Sequence, residues 1–146
     1  MKLSRESQYG ILGTVYLAHQ PVGTIRQVGQ VAEACGLARP FLAKIFGRLV
    51  HAGVLRSYRG RERGYALARP AREVSVKAIV EAIEGPDVFQ RCVFWSDACS
   101  DSSPCILHHV WQTVRPVAVE LMARTTLEDL VRDGGQPDRL ETMSRE

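Results

Sequence analysis

The sequence has no long apolar run. A helix that crosses a bilayer needs about 20 consecutive apolar residues, and the apolar runs in this chain of 146 residues are short. The first residues, MKLSRESQYG, also lack the apolar segment of a secretory signal. We therefore expect a cytoplasmic protein that has no membrane partner.

The motifs of common enzyme classes are missing as well. There is no glycine-rich phosphate loop, no Gly-x-Ser-x-Gly elbow around a nucleophilic serine and no Cys-x-x-Cys pair. Only four cysteines occur, and in a reducing compartment cysteines are more typical of metal or redox sites than of disulfides. The sequence thus argues against an enzyme.

Charge is divided unevenly along the chain. The formal net charge is +3, but residues 1–72 contain 12 Lys and Arg against 3 Asp and Glu, a balance of +9. Residues 73–146 contain 7 against 13, a balance of −6. The basic half favours contact with a polyanion such as nucleic acid, and the acidic half opposes it.

The basic half has the pattern of a helix-turn-helix. A first helix is predicted over residues 4–19, and a second from Thr24, where Gln27 completes a capping-box pattern. A glycine turn follows at 35–37, and a third, amphipathic helix is predicted over 39–52. Two short helices joined by such a turn are typical of DNA-binding domains, in which the second helix of the pair enters the major groove.

The outer face of the third helix is basic. Its candidate DNA contacts are Arg39, Pro40, Phe41, Lys44 and Arg48. In a major groove, lysine and arginine side chains reach guanine edges or phosphates, and a phenylalanine contacts a thymine methyl. The plain alternative is a solvated helix face without a partner, which is the usual meaning of charges on a helix.

Residues 54–68 are predicted to form a hairpin. Two short strand-like runs flank a loop bounded by Gly60 and Gly64. This segment contains Arg59, Arg61 and Arg63, which suit a phosphate backbone or a narrow minor groove. Because a turn needs no arginines, the hairpin favours DNA binding over the solvated-face alternative and predicts a winged helix-turn-helix.

The acidic half has the pattern of a dimerisation module. A short helix is predicted over 75–84, a long helix over about 104–123 and a last short helix after Thr126. The long helix carries an apolar seam with heptad spacing. The seam consists of Leu107, Val110, Val114, Val117 and Leu121. It packs either on the same chain or, as we favour, on a second copy, since two copies then read a two-fold-symmetric site.

Three of the cysteines lie close together in the sequence. Cys92, Cys99 and Cys105 fall within 14 residues, and His108 follows them. Thiolate and imidazole are ligands of zinc and of iron–sulfur clusters, so these four residues are candidate metal ligands. If the long helix includes Cys105, that residue shares a face with His108. The alternative is three inert thiols and an ordinary interfacial histidine. Cys35 stands apart and is expected to be a small buried hydrophobe.

Together the patterns predict a mainly α fold with a small β-hairpin wing. The predicted parts are a winged helix-turn-helix domain at 1–85, a cysteine loop at 86–104, a dimerisation helix with a short terminal helix at 105–134, and a disordered tail at 135–146.

A set of short motifs extends over residues 1–133. In the basic half they are Met1-Lys2-Leu3-Ser4, Val31-Ala32-Glu33, 42–49, Arg59-Gly60 with Gly64-Tyr65, and Leu67-Ala68-Arg69-Pro70. In the acidic half they are 80–85, 105–111 and 126–130. In combination they resemble the IscR/NsrR-type family of bacterial winged-helix regulators, which includes iron–sulfur-assembly, nitric-oxide-sensing and cysteine-metabolism regulators.

The resemblance implies a homodimeric transcription factor whose long C-terminal helices cross. In cluster-binding members, three cysteines ahead of that helix hold an iron–sulfur cluster, and Cys92, Cys99 and Cys105 match them. His108 matches the fourth ligand of the iron–sulfur-assembly regulator. The 4Fe–4S nitric-oxide sensors take an acid from the N-terminal region, where this chain has Gln8, so the resemblance favours a 2Fe–2S cluster.

The same resemblance assigns roles in the basic half. Pro40, Phe41 and Lys44 match positions where the family's recognition helix reads bases, and Arg59 matches a wing arginine that enters the minor groove. The expected function is therefore sequence-specific regulation of transcription by a dimer that senses redox state, nitric oxide or iron–sulfur status. The alternatives are a regulator that uses zinc or reversible thiol oxidation, and a cofactor-free regulator controlled by a protein partner.

Overall fold

The computed structural model describes residues 3–94 and 100–134. In chain order its helices are α1 (Arg5–His19), α2 (Val28–Cys35), α3 (Arg39–His51), α4 (Val76–Glu84), α5 (His108–Arg124) and α6 (Leu127–Gly134). The strands β1 (Leu55–Tyr58) and β2 (Gly64–Leu67) lie between α3 and α4, and 3₁₀ turns occupy Ala71–Glu73 and Val88–Gln90. The predicted mainly helical fold with a β-hairpin wing is confirmed.

The first three helices form as their caps and apolar faces dictate. Ser4 caps α1 by accepting a hydrogen bond from the amide of Ser7 at 3.1 Å. Between α2 and α3, Gly36 adopts a left-handed φ of 67° and lets the chain turn from one helix into the next. The inner face of α3 is completely buried against α1 and α2. Its buried residues are Leu42, Ile45, Phe46 and Leu49.

Helix α2 begins at Val28, so the predicted start at Thr24 was wrong. The backbone at Arg26 is extended because it exchanges two hydrogen bonds with Tyr65 of β2, of 2.9 and 2.8 Å. A residue bonded in this way to a strand cannot join the helix. The N-cap is Gln27, and the side chain of Gln30 accepts a hydrogen bond from the Gln27 amide at 2.9 Å. The capping pair therefore lies three residues later than the sequence suggested.

The helices of the acidic half pack on the same domain. Ser75 caps α4 as predicted, and an antiparallel bridge between Ser75 and Thr126 ties the start of α4 to the start of α6. Val119 and Met122 of α5 pack on a second apolar cluster. The buried members of that cluster are Val76, Val80, Val88 and Phe89. This arrangement fixes which face of α5 is turned inward.

Helix α5 begins at His108, later than the predicted start near Pro104. Before it, the carbonyl of Cys105 accepts a hydrogen bond from the amide of His108 at 3.1 Å. This hydrogen bond spans three residues and closes a turn, not the first turn of an α-helix. Cys105 therefore lies outside α5 and does not share a helix face with His108. The predicted tail at 135–146 lies outside the described residues. Within 3–94 and 100–134, no helix has the length and apolar character needed to cross a membrane.

Candidate nucleic-acid interface and cysteine loop

The first turns of α3 present the predicted recognition residues to solvent. Arg39, Pro40, Phe41 and Lys44 are all exposed. Phe41 is 38% exposed, and its ring meets that of Tyr9 on α1 edge to face, with centroids 5.7 Å apart. The start of α3 therefore combines charge with a supported aromatic surface, which suits contact with base edges in a major groove.

Arg48 differs from the expectation of a solvent-facing side chain. Its Nη1 forms an ion pair with Glu6 of α1 at 2.5 Å and donates to the carbonyl of Ile83 in α4 at 3.2 Å. The side chain is 35% exposed. The guanidinium therefore joins three helices of its own chain, because an acidic residue and a helix-terminal carbonyl both lie within its reach.

The wing, residues 54–68, places its arginines beside α3. β1 and β2 pair antiparallel from Leu55–Leu67 to Tyr58–Gly64, and all residues of the connecting loop 59–63 are exposed. A cleft of about 330 Å³ runs between the wing and the start of α2. Arg39, Arg59 and Arg63 all line it. The structure thus brings together three of the predicted DNA-binding arginines, which concentrates positive charge where a phosphate backbone would pass.

One glycine fixes how the wing is attached. Gly64 has a φ of 149°, and a Cβ at this position would lie 2.5 Å from the carbonyl oxygen of Arg26. The backbone of Arg26 can approach β2 and bond to Tyr65 only because this side chain is absent. In the sequence Gly64 marks only a loop boundary, because the backbone it must accommodate belongs to the distant Arg26.

The outer face of α5 is apolar and uncovered in the single chain. Four of the five predicted seam residues are between 49% and 67% exposed. They are Val110, Val114, Val117 and Leu121. Leu107, the fifth, is half-buried ahead of the helix. Since the opposite face, with Val119 and Met122, packs on α4 and its neighbours, the alternative that the seam packs on its own chain is wrong for these four residues.

The candidate metal ligands lie in the cysteine loop, residues 86–104, and directly after it. Cys92 is half-buried within the loop, Cys105 is exposed just after it, and Cys99 lies outside the described residues. His108 is 6% exposed, and its Nε2 lies 2.8 Å from Asp101 Oδ1. Within the described ranges, no three His, Cys, Asp or Glu side chains gather closely enough to hold a metal ion.

A second polar side chain, Gln112, joins the contact between His108 and Asp101. Gln112, one turn along α5, places its Nε2 3.1 Å from Asp101 Oδ1 and 3.2 Å from His108 Nε2. A carboxylate that bonds an imidazole in this way fixes the orientation of the ring. The predicted ligand is therefore held at the entrance of α5 by its own polar cluster. No motif in the sequence marks Asp101 for this role.

Cys35 lies apart from this loop, as predicted. Its side chain has no exposure to solvent and belongs to the main core with Val31 and Ala32. Burial raises the pKa of the Cys35 thiol to about 11. At neutral pH it is an uncharged thiol and a poor nucleophile.

A carboxylate that the sequence analysis missed connects the two halves. Glu84, the last residue of α4, has a side chain only 8% exposed. It accepts hydrogen bonds from the amide of Ser4 at 2.7 Å and from the hydroxyl of Ser7 at 2.6 Å. Arg91 lies 3.8 Å away on the loop side. Its role is hard to detect in the sequence, because a glutamate at the end of an amphipathic helix is expected to be an ordinary polar residue.

Comparisons with known proteins agree with this geometry. The model of the Rrf2 family, described as iron-dependent transcriptional regulators, matches residues 3–133. A relative from Mycobacterium tuberculosis, named an HTH-type transcriptional regulator, is 31% identical over 144 residues, which cover 99% of this chain and 89% of the relative. A relative of the same description from Aquifex aeolicus is 28% identical over 133 residues, covering 90% of this chain and 92% of the relative.

Solved structures give the same result. CymR, the global cysteine regulator of Bacillus subtilis, superposes with a TM-score of 0.78 at 24% identity, covering 92% of this chain and 99% of that one. The oxidized form of Staphylococcus aureus CymR gives 0.74 at 27% identity, with 93% and 100% covered. IscR of T. potens gives 0.68 at 28% identity, with 92% and 89% covered. The first two relatives are described as transcriptional regulators and CymR as a cysteine regulator, which agrees with the function expected from the sequence. The chain belongs to the Rrf2 family of winged-helix transcriptional regulators.

Proposed function

We propose that this regulator binds a two-fold-symmetric DNA operator as a homodimer and adjusts its affinity through the state of the cysteine loop. The observation that carries the DNA-binding part is the cleft lined by Arg39, Arg59 and Arg63, which lies beside the exposed start of α3. In this arrangement Pro40, Phe41 and Lys44 face bases in the major groove, and the wing tip with Arg61 meets the backbone or the minor groove.

The exposed apolar face of α5 supports the homodimer. An apolar stripe along a helix of 17 residues is unfavourable in water, and a second copy of the same stripe would bury it. Two chains related by a two-fold axis then present two recognition helices to successive half-sites, which lie about 34–36 Å apart on one face of the DNA. Arg48, which is bound within the chain, contributes to recognition chiefly by positioning α3.

The sensing part rests on the donor chemistry of the loop. Cys92 lies within the loop, Cys105 directly follows it, and the ring of His108 is held at the start of α5. These groups, with Cys99, suit an iron–sulfur cluster, and a 2Fe–2S cluster held by three cysteines and His108 is the form we favour over 4Fe–4S. Bound there, such a cluster would supply a group that oxidants and nitric oxide alter. The description of the family as iron-dependent supports this choice.

A second candidate is a thiol switch without a cluster, or with zinc in its place. The exposed position of Cys105 favours it, since an accessible thiol reacts with oxidants. So does the likeness to a CymR structure obtained in an oxidized form. A cofactor-free regulator under the control of a protein partner is the remaining alternative.

Two experiments test the proposal. DNA binding is measured by fluorescence anisotropy with duplexes selected from random sequence, comparing the wild type with a triple Arg39→Ala, Arg59→Ala, Arg63→Ala variant. We expect the triple variant to bind at least about tenfold more weakly and with a smaller salt dependence. Unchanged binding would refute the cleft as a DNA site.

The cofactor is identified by anaerobic purification. We expect a coloured protein with iron and sulfide in equal amounts, whose absorption is lost when Cys92, Cys99 and Cys105 are replaced by Ala. A colourless protein with one zinc per chain would favour the zinc alternative. A colourless, metal-free protein whose DNA affinity changes with reversible oxidation would favour the thiol switch.

A further inference from the structure

We propose that Glu84 and Arg91 are positioning residues that couple the cysteine loop to the recognition helix α3. The inference rests on the proposed function of the loop as a sensor and goes beyond it by naming the contacts that transmit the signal. These contacts converge on the last turn of α4, immediately before the chain enters the loop.

On the DNA-binding side, Glu84 holds the start of α1. Its Oε1 accepts hydrogen bonds from the Ser4 amide at 2.7 Å and from the Ser7 hydroxyl at 2.6 Å. Ser7 itself has no solvent exposure. A carboxylate at a helix N-terminus is favoured by the helix dipole, and a nearly buried one cannot exchange its partners for water at little cost. Any displacement of Glu84 is therefore passed to the first turn of α1.

On the loop side, Arg91 holds the end of α4. Its Nη2 donates to the backbone carbonyl of Glu84 and to Asp87 Oδ1, both at 3.1 Å, and its Nη1 lies 3.8 Å from the Glu84 carboxylate. Arg91 directly precedes Cys92, the first candidate ligand. A change in the backbone at Cys92 therefore moves the residue that carries the guanidinium.

The signal reaches α3 through two neighbouring contacts. Glu6, in the first turn of α1, forms the ion pair with Arg48 of α3 at 2.5 Å. The same Arg48 atom donates to the carbonyl of Ile83 at 3.2 Å. Because Ile83 precedes Glu84, two adjacent carbonyls at the end of α4 accept hydrogen bonds from two arginines. Arg48 comes from the recognition helix, and Arg91 comes from the loop.

This arrangement gives the loop a route to α3 without a direct contact. While the backbone at Cys92 keeps its position, Arg91 stays on the end of α4, Glu84 stays on α1, and the Glu6–Arg48 pair keeps α3 in place. If a modification of the loop displaces that backbone, Arg91 leaves, and the first turn of α1 and the attachment of α3 loosen together. A coupling free energy of this kind works in both directions between the two sites.

The test uses the reduced, metal-free full chain and N-ethylmaleimide as the probe of the loop. Cys35 is buried and its pKa is raised, so alkylation falls on the loop thiols, which intact-mass measurement checks. The readout is the ratio of the dissociation constants for a selected DNA duplex before and after alkylation. We expect a ratio of about fivefold or more in the wild type. In Arg91→Ala and Ser7→Ala it should fall within about twofold of one.

Arg132→Ala is the matched control. It also removes one arginine, but its ion pairs with Asp129 and Asp133 lie within α6 and touch none of the coupling contacts. This variant should keep the wild-type ratio. Ser7→Ala removes the Ser7–Glu84 hydrogen bond, which lies on the opposite side of Glu84 from the loop. Arg91→Lys keeps the charge but loses the planar guanidinium, so its affinity ratio should fall between those of the wild type and Arg91→Ala.

A second readout needs neither DNA nor alkylation. Arg91→Ala should raise amide hydrogen exchange in the first turn of α1, and Arg132→Ala should not. If the wild-type affinity ratio is large and Arg91→Ala and Ser7→Ala preserve it, the coupling route is overturned while the sensing function stands. If alkylation leaves the wild-type affinity unchanged, the route is overturned together with the thiol-switch form of sensing, whereas the cluster form is decided by the anaerobic purification.

Discussion

The ring of Tyr9 on α1 meets the ring of Phe41 at the start of α3 edge to face, with centroids 5.7 Å apart and planes at 81°. Phe41 is exposed at the surface that we assign to base contact, and Tyr9 lies partly buried behind it. Edge-to-face aromatic pairs contribute about 0.5–1.5 kcal/mol beyond their buried area. Helix α1 therefore supports the recognition surface directly, in addition to its role in the core.

The first prediction concerns this support. Tyr9→Ala should weaken binding to a selected duplex by about three- to tenfold, because Phe41 loses the ring that holds its orientation. Tyr9→Phe keeps the ring and should bind like the wild type. Both affinities are measured by fluorescence anisotropy, with thermal unfolding as a check on folding. Equal losses in the two variants would assign the effect to the Tyr9 hydroxyl and contradict the aromatic explanation.

The elements that the sequence predicted well are those set by local chemistry. Helices α1, α3 and α4 begin and end close to the predicted residues because local signals agree there. Serine caps begin α1 and α4, a proline opens α3, and a proline or glycine lies close after each helix end. The hairpin was predicted for the same reason. Each of these signals lies within a few residues of the feature it specifies.

The errors arose where a distant residue decides the structure. The start of α2 is displaced because Arg26 bonds to Tyr65, 39 positions later, and sequence periodicity contains no trace of that pairing. Likewise, Glu6 and Ile83 hold Arg48, which looked solvent-facing from its place on α3. The arginines that line the cleft could be predicted from the sequence. The close approach of Arg26 to the wing at Gly64 could not.

The second prediction separates base reading from backbone contact. Lys44→Ala should reduce affinity for the selected sequence by about tenfold and leave binding to unrelated DNA almost unchanged. Arg59→Ala should weaken binding to both and reduce the slope of log affinity against log salt by about one. The control is Arg124→Ala, an exposed arginine at the end of α5. Anisotropy titrations at several salt concentrations distinguish these outcomes, and identical behaviour of Lys44→Ala and Arg59→Ala would contradict the assignment.

The third prediction tests the attachment of the wing. Gly64→Ala places a Cβ 2.5 Å from the Arg26 carbonyl oxygen, and that backbone atom is held by its bridge to Tyr65. We expect a loss of about 2 kcal/mol or more in the free energy of unfolding. Gly60→Ala also adds a side chain at a positive φ but meets open space, so it should cost only about 1–2 kcal/mol. Urea unfolding measures both.

The fourth prediction concerns the apolar face of α5. Val117 is 67% exposed in the single chain, and an aspartate in its place would be buried unpaired between two copies. Val117→Asp should weaken self-association by about 100-fold or more. The control is Val22→Asp, since Val22 is fully exposed in the loop after α1. Sedimentation velocity at micromolar concentration reports the masses, and a Val117→Asp variant that still sediments as a dimer would place the interface elsewhere.

The fifth prediction follows from the protonation of Glu84. Burial alone would raise the pKa of this carboxyl. Hydrogen bonds from Ser7 and Ser4, together with the Arg91 guanidinium, lower it by a larger amount, so the pKa of Glu84 lies below the ordinary value for glutamate. The unfolded chain therefore binds this proton more readily than the folded protein. Ionised Glu84 contributes stability above the unfolded pKa of about 4.3, and the contribution is lost as the pH falls through the folded pKa.

Glu84→Gln isolates that contribution, because Asp129 also has a lowered pKa, through its hydrogen bonds with Thr126, and remains in both proteins. The difference in unfolding free energy between wild type and Glu84→Gln should be largest near pH 7 and shrink as the pH is lowered below about 4. Ser7→Ala removes one of the bonds that lower the Glu84 pKa and should give an intermediate curve. Urea unfolding across this pH range provides the values. Since the carboxylate that responds to pH is the one that holds α1, a pH-independent difference would mean that Glu84 acts by shape alone, without its charge.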